Sequence, residues 1–255
     1  MTTPPLTAPV FTPHLSINSS EQLADNAVHL WLLDINQFTT GHYTYTEQIM
    51  SSAERERALK FVRGKNEYIA SRWLLRKVLA GYTNLAPEAV EFLRTAKGKP
   101  YLPQGDIHFS LSHSGHRALL AVAKTELIGV DIEEIKAARD LLGIAESYYH
   151  PQEFAYLQTL NEEARREHFY RFWTLKEAFL KATGAGISAG LEKIQFELAG
   201  ANIRAQIAAS LGGDTDEWQF HQWALTAQDY CALAGKSCQP LEVTWFDALA
   251  TPAFP

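Results

Sequence analysis

A chain of 255 residues, 46% hydrophobic and 20% charged, has enough material for one large domain or two small ones that share a core. Its net charge of −6 argues against a general nucleic-acid binder, and no apolar run approaches the ~20 residues of a membrane-spanning helix. Cys231 and Cys238 are the only cysteines and supply neither a disulfide framework nor a zinc ribbon, so a reduced, cytoplasmic protein with no membrane or nucleic-acid partner is expected.

The opening MTTPPLTAPVFTP lacks the basic start and apolar core of a secretory signal, and residues 1–25, rich in Pro, Thr and Ser, are predicted to form an extended or poorly ordered arm. AVHLWLLDI (27–35) is an apolar run of strand length. From Tyr45 to Tyr82 the pattern is helical, with Ile69, Trp73, Leu74, Val78 and Leu79 on one stripe and Gly81 as a stop. Residues 51–77 of this stretch hold eight basic and three acidic side chains, a local +5 that leaves −11 for the rest. Such segregation suits an anion site, although charges laced along a solvated helix face would look the same.

GKPYLP (98–103) reads as a turn, and HFSLS (108–112), ALLAVA (118–123) and LIGVDI (127–132) as an antiparallel meander. A second helical region covers 138–183, broken near His150-Pro151 and ended by Gly184 and Gly186. Strand-like runs follow at 194–198, 203–209, 218–225, 230–234 and 241–246. Helices then strands, twice over, predict an α+β protein of two halves, 26–127 and 128–255. The halves share no residue-level repeat.

Alternation along IGVDIEEI (128–135) sends Val130 and Ile132 to one face of a strand and Asp131 and Glu133 to the other. In FWTLKEAFLKATGAG (172–186), helical spacing places Trp173, Glu177 and Lys181 on one face. Each piece alone fits an ordinary solvated surface, and Glu177 with Lys181 an ordinary i, i+4 ion pair. Together, three carboxylates from a strand and a helix suit Mg²⁺, a hard cation that accepts carboxylate oxygen and substrate phosphate. No GxxxxGK[ST], strand-embedded GxGxxG, HExxH or GxSxG occurs, which removes P-loop, Rossmann, zincin and hydrolase readings.

The pairing of IGVDIE (128–133) with WTLKEAFLK (173–181) resembles the signature of the Sfp-type 4′-phosphopantetheinyl transferases, and 46 residues separate Asp131 from Glu177. GKP (98–100) and FSLSHS (109–114) match two further family motifs in order. The resemblance implies transfer of the phosphopantetheine arm of coenzyme A to a serine of an apo acyl or peptidyl carrier protein, with release of 3′,5′-ADP. It implies that Asp131, Glu133 and Glu177 hold Mg²⁺, that Glu177 is the base for the carrier serine, and that Lys181 contacts the transferred phosphate. Lys99, Ser112 and His113, with Arg57 and Arg72 as the best matches in the basic segment and Arg55 and Lys60 beside them, would bind coenzyme A, the co-substrate. The implied fold is two similar α+β halves related by a pseudo-twofold, each a small antiparallel sheet packed on helices, with the active site between them. Trp173 is read as packing, and a monomer is the expected state.

Two other readings compete: a different Mg²⁺-dependent diphosphate-cleaving phosphotransferase, or a non-catalytic carrier-binding module on the same fold. The first leaves Lys99, Ser112 and His113 unexplained, and the second has no need of Asp131, Glu133, Glu177 and Lys181 together. A carrier would dock on the apolar and aromatic run 141–157, through Tyr148 and Tyr149.

Overall fold

The structure, a computed structural model, describes residues 6–12, 23–103, 105–136, 139–199, 202–213 and 216–250. Of the expected arm, residues 1–5 and 13–22 lie outside the described residues. The chain divides into two compact units, one within 10–126 joined by the stretch from Leu241, the other within 127–240 joined by residues 6–9.

In the N-terminal unit the apolar run forms β1 (Ala27–Asp34), buried along nearly its whole length. Three helices follow: α1 (Thr40–Ile49), α2 (Ser52–Leu59) and α3 (Lys65–Thr83). Thr39 and Ser51 start the first two by accepting from the N–H of His42 and Glu54, which break the helical run into pieces. The third runs past Gly81, which is buried, and stops at Asn84 in the left-handed region (φ 54°). The stripe on α3 packs Trp73, Leu74, Leu75, Val78 and Leu79 into a core with Trp31, Leu33, Phe109, Leu120 and Val122.

A small hairpin pairs β2 (Leu93–Arg94) with β3 (Pro100–Tyr101) around the GKP turn. Next, β4 (His108–Ser114) and β5 (Arg117–Ala123) form a tight hairpin whose turn uses Gly115 at φ 55°. The C-terminal strand β11 (Glu242–Asp247) completes a sheet of order β11-β1-β5-β4, and it runs parallel to β1. Two expectations are corrected here. The last strand belongs with the N-terminal unit rather than with 128–255, and this sheet is mixed rather than antiparallel. Side-chain packing decides it: Trp245 and Phe246 are buried, and Phe246 stacks on Trp31 with ring centroids 4.5 Å apart.

The C-terminal unit begins with β6 (Ile128–Glu134) and continues through α4 (Leu141–Tyr148), α5 (Pro151–Thr159) and α6 (Glu162–Thr183). The break at His150-Pro151 falls where expected, with Pro151 opening α5, and a second falls at Asn161, which caps α6. Gly184, left-handed at φ 65°, ends α6. Then come β7 (Ile194–Ala199) and β8 (Asn202–Ile207), a hairpin, and β9 (Trp218–Thr226) and β10 (Asp229–Lys236). The sheet order is β6-β10-β9, antiparallel throughout. β6 thus pairs with β10, Asp131 opposite Ala232, instead of extending a meander from β5. The short loop before it allows a hairpin, but packing of β6 against α6 selects the other sheet. Phe169, Phe172, Leu175 and Phe179 of α6 fill the core beside Ile194, Phe196, Ala232 and Ala234.

Candidate active site

The carboxylates owe their position to a glycine. Gly129, Asp131 and Glu133 share one face of β6, and α6 crosses it so closely that a Cβ on Gly129 would sit 2.1 Å from the Ala178 carbonyl oxygen and 2.4 Å from the Ala182 nitrogen. With no Cβ in the way, the helix face bearing Glu177 and Lys181 comes down onto Asp131. The Lys181 Nζ donates to Asp131 Oδ1 at 2.6 Å, with the aspartate buried and the lysine about one-third exposed.

Glu177, one turn before Lys181, is half-buried, and among the described residues nothing hydrogen-bonds its buried Oε1. Burial raises its pKa from 4.5 to about 7, helped by the negative charge of Asp131 and, more weakly, Glu133, while Lys181 pulls the other way. A carboxyl that shares its proton near neutrality is suited to take one from a hydroxyl.

The donor set is of the chemical type a divalent cation accepts. Its oxygens are hard, two carboxylates already repel each other, and one buried oxygen has no partner. Among the described residues no three His, Cys, Asp or Glu side chains form a group that could hold a metal ion, and Lys181 supplies the positive charge at Asp131.

The basic segment builds a different feature in the N-terminal unit. A cavity of about 840 Å³ is lined by Arg57, Arg72, Arg94, Tyr68, Phe92 and His113, among others. The guanidinium groups of Arg57 and Arg72 lie 5.7 and 5.3 Å from the centre of the Tyr68 ring. Arg76, also at the wall, is consumed by the fold: it donates to Glu54 Oε2 at 2.8 Å and to the carbonyls of Pro87 and Val90 at 2.8 and 3.0 Å. Arg72 is not. Its closest carboxylate contact is Glu54 at 3.9 Å, and its buried Nε has no partner among the described residues. A guanidinium in a cavity wall with an unpartnered Nε can donate to an anion.

Of the expected coenzyme A residues, Arg57, Arg72 and His113 line this cavity together. Ser112 and Lys99 do not. Ser112 is buried on the opposite face of β4 from His113, as alternation requires. Lys99 is half-buried, its pKa lowered by burial and partly restored by Glu126, and it shares an electrostatic neighbourhood with His108 rather than with the arginines. Arg55 donates instead to the carbonyls of Glu47 and Met50. Tyr68 and Arg94 went unnoticed in the sequence, although Tyr68 lies four residues before Arg72, a spacing that places both on one helix face.

The 141–157 run is corrected at one residue. Tyr149 is buried, donates its hydroxyl to the Phe169 carbonyl at 2.7 Å and stacks on the Phe169 ring, so it belongs to the core. Tyr148 and Tyr156 are exposed. Trp173 packs on Phe169, as expected, and the Arg139 guanidinium lies over its ring, 4.7 Å from the centre.

Comparison with known proteins gives the same answer across both units. Residues 127–234 match the 4′-phosphopantetheinyl transferase superfamily, and residues 37–125 match a family described as the N-terminal part of 4′-phosphopantetheinyl transferases. The 4′-phosphopantetheinyl transferase HetI of Nostoc sp. is 36% identical over 192 residues, covering 73% of this chain and 78% of that protein. The 4′-phosphopantetheinyl transferase of Bacillus subtilis is 31% identical over 152 residues, 58% of this chain and 66% of that one. The human L-aminoadipate-semialdehyde dehydrogenase-phosphopantetheinyl transferase is 29% identical over 203 residues, 71% of this chain and 65% of its own. The carboxylate–lysine cluster on β6 and α6 lies inside the first matched segment and the arginine-lined cavity inside the second, and the chain belongs to the 4′-phosphopantetheinyl transferase superfamily.

Proposed function

We propose that this phosphopantetheinyl transferase carries out its reaction on the Asp131–Glu133–Glu177–Lys181 cluster, with the nucleotide end of coenzyme A held by Arg57, Arg72 and His113. The observation that carries the reading is Glu177: a carboxyl titrating near 7, one oxygen unpartnered, beside an aspartate and a lysine. Asp131, Glu133 and Glu177 would hold Mg²⁺, which supplies neutralising charge for the diphosphate of coenzyme A. Glu177 takes the proton of the carrier serine hydroxyl as its oxygen attacks the phosphate bearing the pantetheine arm. Lys181 balances charge on the transferred phosphate, and 3′,5′-ADP departs.

The direct test follows 3′,5′-ADP release with coenzyme A and an apo carrier protein. Release should need both the carrier and Mg²⁺ and should stop with a chelator; release without a carrier would favour a diphosphate-cleaving enzyme with another acceptor.

Arg72→Ala should raise the KM for coenzyme A by about tenfold to a hundredfold and leave kcat within about threefold, since a charge-assisted phosphate contact acts on ground-state binding. Steady-state kinetics in coenzyme A check this. An equal loss in kcat would mean that Arg72 acts on the transition state instead.

The carrier docks, in the same proposal, on the exposed side of α4 and α5, where Tyr148 and Tyr156 are 44% and 39% exposed. Tyr148→Ala should raise the KM for the carrier with no change in that for coenzyme A. Tyr149→Ala empties a core site and should cost about 3 kcal/mol of stability, read by denaturant melting. We place the enzyme in the cytoplasm as a monomer. No helix among the described residues is long and apolar enough to cross a membrane.

A further inference from the structure

We infer that Lys176 and Glu153 form a positioning latch that sets the rotation of α6 and thereby the aim of Glu177. Lys176 precedes Glu177 in the chain but points about 100° away around the helix axis. There it is fully buried, with Glu153 2% exposed.

All three protons of the ammonium are used. Nζ pairs with Glu153 Oε2 at 2.8 Å, donates to the Leu191 carbonyl at 2.9 Å and donates to the Ile194 carbonyl. Glu153 is equally committed: its Oε1 accepts from Phe196 N at 2.8 Å and its Oε2 from His150 N at 3.1 Å. The ammonium also lies 5.5 and 5.9 Å from the Tyr149 and Phe196 ring centres. One side chain of α6 is thus tied to the start of α5, to the turn at Leu191 and to the start of β7.

Stability alone gives little reason for such a pair. Two charges taken from water are commonly replaced by apolar side chains of similar volume without loss. What an apolar pair lacks is direction. The contact at Gly129 sets how closely α6 approaches β6, but a helix can still roll over a glycine. A helix with its side chains is about 10–12 Å across, so a 10° roll moves a side-chain end by about 1 Å. A displacement of that size at a reacting group can cost about a hundredfold in rate. Three fixed acceptors around Nζ oppose that roll at the residue next to Glu177.

The proposal rests on Glu177 being the base. The test is the double replacement Lys176→Met with Glu153→Met, which removes both charges together, assayed well below its melting temperature. The expected result is a folded enzyme whose Kd for coenzyme A is within about threefold of wild type and whose kcat is at least tenfold lower. A purely structural pair predicts wild-type kcat once the fold is intact, and that result overturns the latch. If the double variant does not fold, Glu153→Gln keeps an oxygen for Phe196 N but removes the negative charge that pairs with Lys176. It should lower kcat about fivefold with Kd for coenzyme A unchanged, and wild-type kcat there also overturns the proposal. Glu177→Ala is run in parallel. An active Glu177→Ala enzyme sinks the assignment of the base, whereas an inactive one beside a fully active double variant sinks the latch alone.

Discussion

Glu177→Gln should lower kcat for phosphopantetheine transfer by about a hundredfold to ten-thousandfold, the range expected when a general base is removed. Glutamine keeps the volume and one hydrogen-bonding oxygen but cannot take a proton from the carrier serine. The KM for coenzyme A should change little, because the arginine cavity is untouched. The same variant should change stability in a pH-dependent way. The pKa of Glu177 is raised from 4.5 to about 7 by burial first and the Asp131 charge second. A raised carboxyl favours the protonated folded state, so its contribution is fully present below pH ~4.5 and is lost as pH rises through ~7. The loss is at most about 3 kcal/mol, from 1.36 kcal/mol per unit. Wild-type enzyme without metal should therefore melt at progressively lower temperature across that window. Glu177→Gln should flatten this slope, and added Mg²⁺ should flatten it in the wild type by holding the carboxylates charged. An unchanged slope in Glu177→Gln would place the titrating group elsewhere.

Gly129→Ala should be the most damaging single methyl group that can be added to the C-terminal unit at this site. Its Cβ would meet Ala178 O at 2.1 Å and Ala182 N at 2.4 Å, both backbone atoms that no rotamer change can remove. α6 must move outward by about 1 Å to restore ordinary contact. Overpacking of this kind costs about 1–3 kcal/mol or more, so a Tm lowered by about 5–10 °C is expected. The Lys181–Asp131 contact must lengthen as well, so activity should fall further than the stability loss explains. Gly41→Ala is the control, since its Cβ meets only Thr39 Oγ1 at 3.6 Å and should leave Tm and activity near wild type. A Gly129→Ala enzyme with wild-type Tm would show that β6 and α6 are not in backbone contact.

Much of the site could be read from periodicity. Alternation in β6 placed Asp131 and Glu133 on one face, and helical spacing in α6 placed Glu177 near Lys181; those are local properties, and local rules describe them. The pairing partners of β6 and β11 are long-range choices made by packing, which is why a meander from β5 and a C-terminal home for residues 241–246 were the natural but mistaken readings. Buried charge was the other blind spot. Lys176, Glu153 and Arg76 are residue types that usually sit in water, and nothing in their spacing distinguishes a saturated internal hydrogen-bond network from a solvated face. Tyr149 misled for the opposite reason: an aromatic beside exposed Tyr148 looked like surface but fills the core against Phe169. In the basic segment the sequence picked out Arg57 and Arg72, yet only the geometry separates Arg72, with its unpartnered Nε, from Arg76, whose donors are spent on Glu54 and on backbone carbonyls.

The central claim is that transfer takes place on the cluster of Asp131, Glu177 and Lys181. Its most direct test is the intact mass of an apo carrier protein incubated with coenzyme A, Mg²⁺ and either wild-type enzyme, Glu177→Gln or Asp131→Ala. The account predicts that the wild type adds one phosphopantetheine arm within minutes, and that neither variant does so on that timescale while both remain folded and bind coenzyme A. Modification by either variant at the wild-type rate would contradict it.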